Sequence, residues 1–240
     1  MIPVEPDKVI MRYIDLEKLN DMMETSSLFF CRADKFPDHF EGSLPQKEYE
    51  SRIRRGFVSG FERLHLNMKK FTLINCWHIN ENESDAMWRL YLKSNEGVAV
   101  QTTIEKICSV LKNSHSTFRV SKVRYIDYEK DIWYDDEEYP VKSYNAIIPL
   151  VHKRNEYKHE NEFRILFDID HAYQSPDYWA NAESSIGKKI EIRDIARIID
   201  RLILPPSADE IVRDKVEKIM DKFNCNIEIC KSKLMNKPFY

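Results

Sequence analysis

Glycine is scarce in this 240-residue chain: there are five, none in a GxGxxG or GxxxxGK arrangement. Rossmann and P-loop phosphate cradles need glycines at those spacings, so both site types are excluded. The five cysteines (Cys31, Cys76, Cys108, Cys225, Cys230) include no CxxC pair and are odd in number, which speaks against a zinc site and a disulfide framework. The histidines show no HExxH spacing, so no metal is expected. No run approaches the roughly 18 apolar residues of a membrane helix. The segment Met1–Asp7 lacks the basic and apolar regions of a signal peptide. These absences predict a cytoplasmic protein with reduced thiols and no membrane attachment. Charge of one sign is also missing. With 37 basic and 40 acidic residues the net charge is −3, which argues against a dominant nucleic-acid footprint but allows a local basic patch.

What is present is an ordinary globular mix, 42% hydrophobic and 32% charged, with strands and helices interleaved without a regular βαβ rhythm. Val9–Ile14 reads as a strand, followed by a helix capped by Asp15 with Leu16, Leu19, Met22 and Met23 on one face. Further strands are expected at Leu28–Cys31, Phe71–Trp77, Gly97–Thr102, Phe118–Tyr125, Lys188–Ile192, Ile198–Leu204 and Asn226–Cys230. Helical patterns cover 46–69, 103–112, 141–158 and 208–223, with a short helix after Ser84 or Asp85. The run Tyr125–Tyr139 reads as a surface excursion and 168–187 as an irregular connection. The expectation is one α+β domain over 1–240, with mixed or antiparallel sheets and peripheral helices.

Three constellations carry potential chemistry. The first is Glu160-Asn161-Glu162-Phe163-Arg164, which runs into apolar Ile165-Leu166-Phe167. In an extended strand, residues two apart share a face, so Glu160, Glu162 and Arg164 would form a charged row on a core-bound strand. Burying such a row is costly unless its charges are used or paired. One reading is a carboxylate pair with divided acid–base roles. The other is a salt-bridged row, with Glu162 paired to Arg164 or to a cross-strand base such as Arg124. The second constellation is Arg12-Tyr13, where Arg12 is either a clamp for a carboxylate or pyrophosphate or an ordinary strand-edge arginine. The third is Cys76-Trp77-His78 with Met87-Trp88-Arg89-Leu90-Tyr91. Here Trp88 and Tyr91 are expected to line one pocket for a planar ring, while core packing explains the spacing as well. The Asp38–Glu41 pair reads as part of a solvated loop.

Four ordered blocks resemble a family of uncharacterised bacterial proteins. They are Met11-Arg12-Tyr13 for a YRY-type strand, Phe36-Pro37-Asp38-His39-Phe40-Glu41-Gly42 for an F.DPFEG-type loop, Cys76-Trp77 with Met87–Tyr91 and Gly97-Val98, and Lys153 with Glu160–Arg164. His39 stands where that loop has proline, and Met11 where the strand has its first aromatic. The order of Arg12, the 76–91 block and Glu160-x-Glu162 is also similar to the ADP-ribosyltransferase superfamily. That resemblance implies an NAD-consuming ADP-ribosyltransferase or NAD glycohydrolase, such as a toxin or antiphage defence effector. It implies NAD as substrate and a protein or nucleic-acid acceptor. Glu162, Glu160 and Arg12 would be catalytic, and Arg12, Tyr13, His78, Trp88, Tyr91 and Arg164 would hold the nucleotide. The Ser-Thr-Ser element of arginine-modifying members is absent. The alternative is a non-catalytic nucleotide- or protein-binding module of a defence system.

Overall fold

The computed structural model describes residues 2–54, 56, 61–112, 118–132, 147–168 and 185–238. They form an α+β structure whose strand pairs are mostly antiparallel. By contacts the chain divides into two compact units. One comprises Met1–Val4, Phe30–Asn75 and Thr117–Lys188; the other comprises Glu5–Phe29, Cys76–Ser116 and Lys189–Tyr240. In chain order the strands are β1 (Val9–Asp15), β2 (Ser27–Arg32), β3 (Thr72–Ile79), β4 (Gly97–Thr103), β5 (Phe118–Lys122), β6 (Arg124–Ile126), β7 (His152–Arg154), β8 (Glu162–Asp168), β9 (Gly187–Glu191), β10 (Arg201–Ile203) and β11 (Glu228–Cys230). The helices are α1 (Leu16–Glu24), α2 (Gln46–Arg54), α3 (Phe61–Phe71), α4 (Asp85–Tyr91), α5 (Ile104–Lys112) and α6 (Glu210–Lys222).

In the unit that holds β1, the order is β11-β10-β4-β1, with the end of β3 beyond β1. Met11, Gln101, Arg201 and Glu228 lie directly opposite one another across successive strands, forming one transverse row. The helices begin where short polar side chains can accept orphan amide hydrogens. Asp15 accepts from the Lys18 N–H at 2.8 Å, Ser84 from Met87 at 3.4 Å and Asp209 from Val212 at 3.0 Å. The apolar stripe of α1 (Leu16, Leu19, Met22, Met23) is buried, as its spacing predicts. Gly97 begins β4 where only a hydrogen fits: a Cβ there would lie 2.6 Å from the Ile14 carbonyl oxygen.

In the other unit β8 pairs antiparallel with β5, and β6 pairs parallel with β7. Phe30, Phe118 and Phe167 meet with centroids 5.4–6.5 Å apart and anchor its core. Two local expectations fail here. The helix expected over 141–158 is absent from its described part: Ile148–Val151 is a 3₁₀ turn with proline at its start, His152–Arg154 is strand β7, and Asn155–Glu160 is a second 3₁₀ turn. Glu160 is also off the strand. Asn161, left-handed at φ 37°, ends the 3₁₀ turn, a conformation asparagine tolerates better than most residues, and β8 starts one residue later. The helical pattern over 46–69 is met by α2 and α3, although Ile53 is exposed, and Phe57 lies outside the described residues. Residues 133–139 of the acidic run and 169–184 of the irregular connection lie outside the described residues.

Candidate functional site

Strand β8 is buried on both faces. Phe163 and Ile165 point to one side, Arg164 and Leu166 to the other, and all four are at most 1% exposed. An arginine in that setting must have its donors satisfied. Arg164 Nε donates to Glu162 Oε2 at 2.7 Å, Nη1 to the Leu150 carbonyl at 2.8 Å, and Nη2 to Glu41 Oε2 at 2.5 Å and Glu162 Oε1 at 3.1 Å. Lys153, on β7, contributes a second cation. Its Nζ lies 2.6 Å from Glu160, 2.8 Å from Glu162 and 3.3 Å from Glu41. Tyr125, opposite Lys153 in the β6–β7 ladder, places its hydroxyl to accept from the Glu162 N–H at 2.9 Å.

The loop 36–42 supplies the remaining acids. The Asp38 carboxylate accepts from the Phe40 N–H at 3.1 Å and pairs with Arg154 at 2.9 Å. Gly42, at φ +77°, lets the chain turn away where a Cβ would approach Lys69 and Leu150. Asp38 is 5% exposed and Glu41 3%, so the expectation of a solvated loop is overturned. The loop is drawn inward because Arg164, Lys153 and Arg154 give its carboxylates cationic partners. The Arg154 guanidinium also lies over the Phe40 ring (4.7 Å to its centroid) and the Tyr157 ring (5.5 Å).

Glu41, Glu160 and Glu162 would carry three negative charges against the two positive charges of Lys153 and Arg164. One proton balances the cluster, and its preferred place follows from the contacts. Burial pushes the Glu160 carboxyl up, the adjacent Glu162 adds to this, and the group titrates at about 7. Burial also opposes ionisation of Glu162, but the charges of Arg164 and Lys153 outweigh it and hold that carboxyl well below the usual range. Lys153, despite burial, is held charged by Glu162 and Glu41. The contacts thus favour an ionised Glu162 beside a Glu160 of raised proton affinity. Glu160 lies at the edge of the cluster, its side chain 11% exposed against 5% for Glu162.

The sequence-predicted residues therefore fall into two groups. Glu160, Glu162 and Arg164 are together in the unit just described. Arg12, Tyr13, His78, Trp88 and Tyr91 belong to the other. There, Tyr13 and Trp88 pack edge to face at 4.8 Å within a buried cluster that includes Met11, Met87, Ala99 and Ile203. The Trp88 indole N–H donates to Glu83 at 2.9 Å, and the Tyr13 hydroxyl accepts from the Ser84 N–H at 2.9 Å. His78 is buried, 6.4 Å from the Tyr13 ring, with Nε2 3.3 Å from the Asn80 amide. Arg12 donates to the Phe29 carbonyl at 3.3 Å. Trp88 is 4% exposed and Tyr91 48%, so the two rings do not line one surface. Sequence reasoning left Lys153, Glu41, Arg154 and Tyr125 out of the candidate site. The available signal was that Lys153 and Glu41 stand in the ordered blocks that also hold Glu160–Arg164.

Residues 87–165, about a third of the chain, match a family model described as a protein of unknown function (DUF2971). The matched stretch contains Trp88, Tyr91, Lys153, Glu160, Glu162 and Arg164 but neither Arg12 nor the 36–42 loop. No curated protein sequence matches the chain. Among solved structures, DarT of Thermus sp. 2.9 in complex with NAD+ matches at a TM-score of 0.43 and 12% identity, covering 99% of this chain and 100% of that one. The same protein in complex with ADP-ribosylated single-stranded DNA matches at 0.43 and 11%, covering 99% of each chain. Its carba-NAD+ complex matches at 0.44 and 9%, covering 98% of this chain and 100% of that one.

Proposed function

We propose that the Glu160–Glu162 site cleaves the nicotinamide–ribose bond of NAD, as an ADP-ribosyltransferase or an NAD glycohydrolase acting in the cytoplasm. The observation that carries this reading is that the Glu160 and Glu162 carboxyls share the Lys153 ammonium, at 2.6 and 2.8 Å, in surroundings that raise the proton affinity of the first and lower that of the second. In the reaction the glycosidic bond breaks with its electron pair going to nicotinamide, which leaves neutral, and positive charge builds on the anomeric carbon. Glu160 takes the proton of the incoming hydroxyl or water as the new bond forms. A base titrating at about 7 is matched to that task at neutral pH. Glu162, buried and doubly paired, keeps Glu160 in register, and the single net negative charge of the cluster with Glu160 ionised stabilises the developing cation. Contact with substrate is thus assigned to Glu160, and Glu162 is a positioning residue. The superfamily resemblance of the Glu-x-Glu segment supplies NAD as the substrate class, and a protein or a nucleic acid as the acceptor of a defence effector.

The test is release of nicotinamide from NAD by the purified protein, alone and with cell lysate, alongside Glu160→Gln. Turnover that falls at least 100-fold in a folded Glu160→Gln variant supports the reading. No nicotinamide and no labelled acceptor under any of these conditions rejects it. A second reading, a non-catalytic nucleotide- or protein-binding module, is favoured by one specific observation: the cluster's carboxylates already have cationic partners without substrate. It expects NAD to raise the melting temperature with no product formed.

A further inference from the structure

In the unit that contains β1, a cavity of about 460 Å³ opens over the face of the sheet near Met11. Its size lies within the range of small-molecule sites. The floor is the transverse row Met11–Gln101–Arg201, with Ile203 beside it. One wall is the loop Glu81–Glu83 after β3; the other is the segment after β11 with Lys231 and Lys233. Glu83 ties the walls together, because its carboxylate accepts both the Trp88 indole N–H and the Lys233 backbone N–H. The cavity is therefore a braced feature and not a gap between loose loops.

We infer that this cavity binds a phosphate-bearing ligand of nucleotide size, with Arg201 and Lys233 as the anion clamp and the Gln101 and Asn82 amides meeting the polar edges of the ligand's ring. Three cationic side chains line the space (Arg201, Lys231, Lys233) against two acidic ones, and Glu83 is committed to the brace. A planar fork such as Arg201 suits phosphate oxygens, and side-chain amides suit the paired donors and acceptors of a base. Met11 and Ile203 offer an apolar floor for a ring. Lys231 also pairs with Glu210 at 2.9 Å and Arg201 with Glu228 at 3.6 Å, both near the surface, where such pairs are weak enough to be exchanged for a ligand. This inference is independent of the NAD chemistry proposed for Glu160.

The experiment is calorimetric titration of the full chain at low salt with AMP, adenosine and inorganic phosphate, repeated on Arg201→Ala, Lys233→Ala and Glu160→Gln. The expected result is AMP binding that weakens at least tenfold in Arg201→Ala and several-fold in Lys233→Ala. Adenosine should bind more weakly than AMP, phosphate should compete with AMP, and Glu160→Gln should leave AMP affinity unchanged. If Arg201→Ala does not fold, judged by circular dichroism, Lys233→Ala decides alone. Absence of AMP binding, or affinity unchanged in the folded clamp variants, overturns the inference. A loss of AMP binding in Glu160→Gln would move the site to the carboxylate cluster and also overturn it.

Discussion

The carboxylate cluster around Glu162 and the aromatic cluster around Trp88 both arise from residues that looked functional for their setting, yet burial treats them oppositely. At Glu162 the buried groups are ionisable, and their proton affinities are displaced by burial and by contact with one another. At Trp88 the buried groups are rings, and the polar atoms on them are met by ordinary hydrogen bonds to Glu83 and Ser84. A ring with one satisfied polar atom is a stable core element that needs no further explanation. A cluster of five ionisable groups with one proton to place retains a response to pH.

Four substitutions would break or sharpen this contrast. Arg164→Met removes the partner of two buried carboxylates and is expected to cost about 3–5 kcal/mol in urea unfolding at pH 7. A loss under 1 kcal/mol would show that the cluster is solvated. Glu160→Gln tests the proton. Wild-type Glu160 binds its proton to about pH 7 when folded and to about pH 4.5 when unfolded, so its contribution to stability is complete below pH 4.5 and lost as pH rises towards 7. The stability of wild type relative to Glu160→Gln should therefore fall by at most about 3 kcal/mol across that window. Glu162 has the opposite sign: its contribution is present above pH 4.5 and is lost only as the solution becomes strongly acid. Trp88→Phe removes one hydrogen bond and some volume, for an expected loss of about 1–3 kcal/mol and no change in nicotinamide release per folded molecule. Tyr91→Ala, at an exposed position, should change stability by about 0.5 kcal/mol or less; a larger loss would show that its ring is held as firmly as that of Trp88.

The contrast also marks what could be read from sequence. The two-residue spacing of Glu162 and Arg164 beside Ile165 and Leu166 is enough to expect charges on a buried strand, with the Glu162–Arg164 pair as one of the open readings, because strand periodicity is local. Glu41 was not legible as its partner: the two residues stand 123 positions apart, and no local pattern says that the 36–42 loop folds inward. The helix expected over 141–158 failed for a similar reason. His152–Arg154 pairs with β6, a tertiary contact that outranks local propensity, and this pairing is what brings Lys153 to the carboxylates. Glu160 joined Glu162 by a route the strand pattern did not contain, through the left-handed Asn161 that ends its 3₁₀ turn. The caps at Asp15 and Ser84 were readable because capping depends only on neighbours three residues away.

Glu160 is expected to hold a proton near neutral pH because burial raises its proton affinity and the charged Glu162 beside it adds to the effect. Carboxyl-carbon NMR of glutamate-labelled protein, titrated from pH 4 to pH 9, measures it directly. One glutamate resonance should move with a midpoint near 7 and vanish in Glu160→Gln. If every glutamate resonance instead moves with a midpoint near the ordinary value of about 4.3 or below, the account is contradicted.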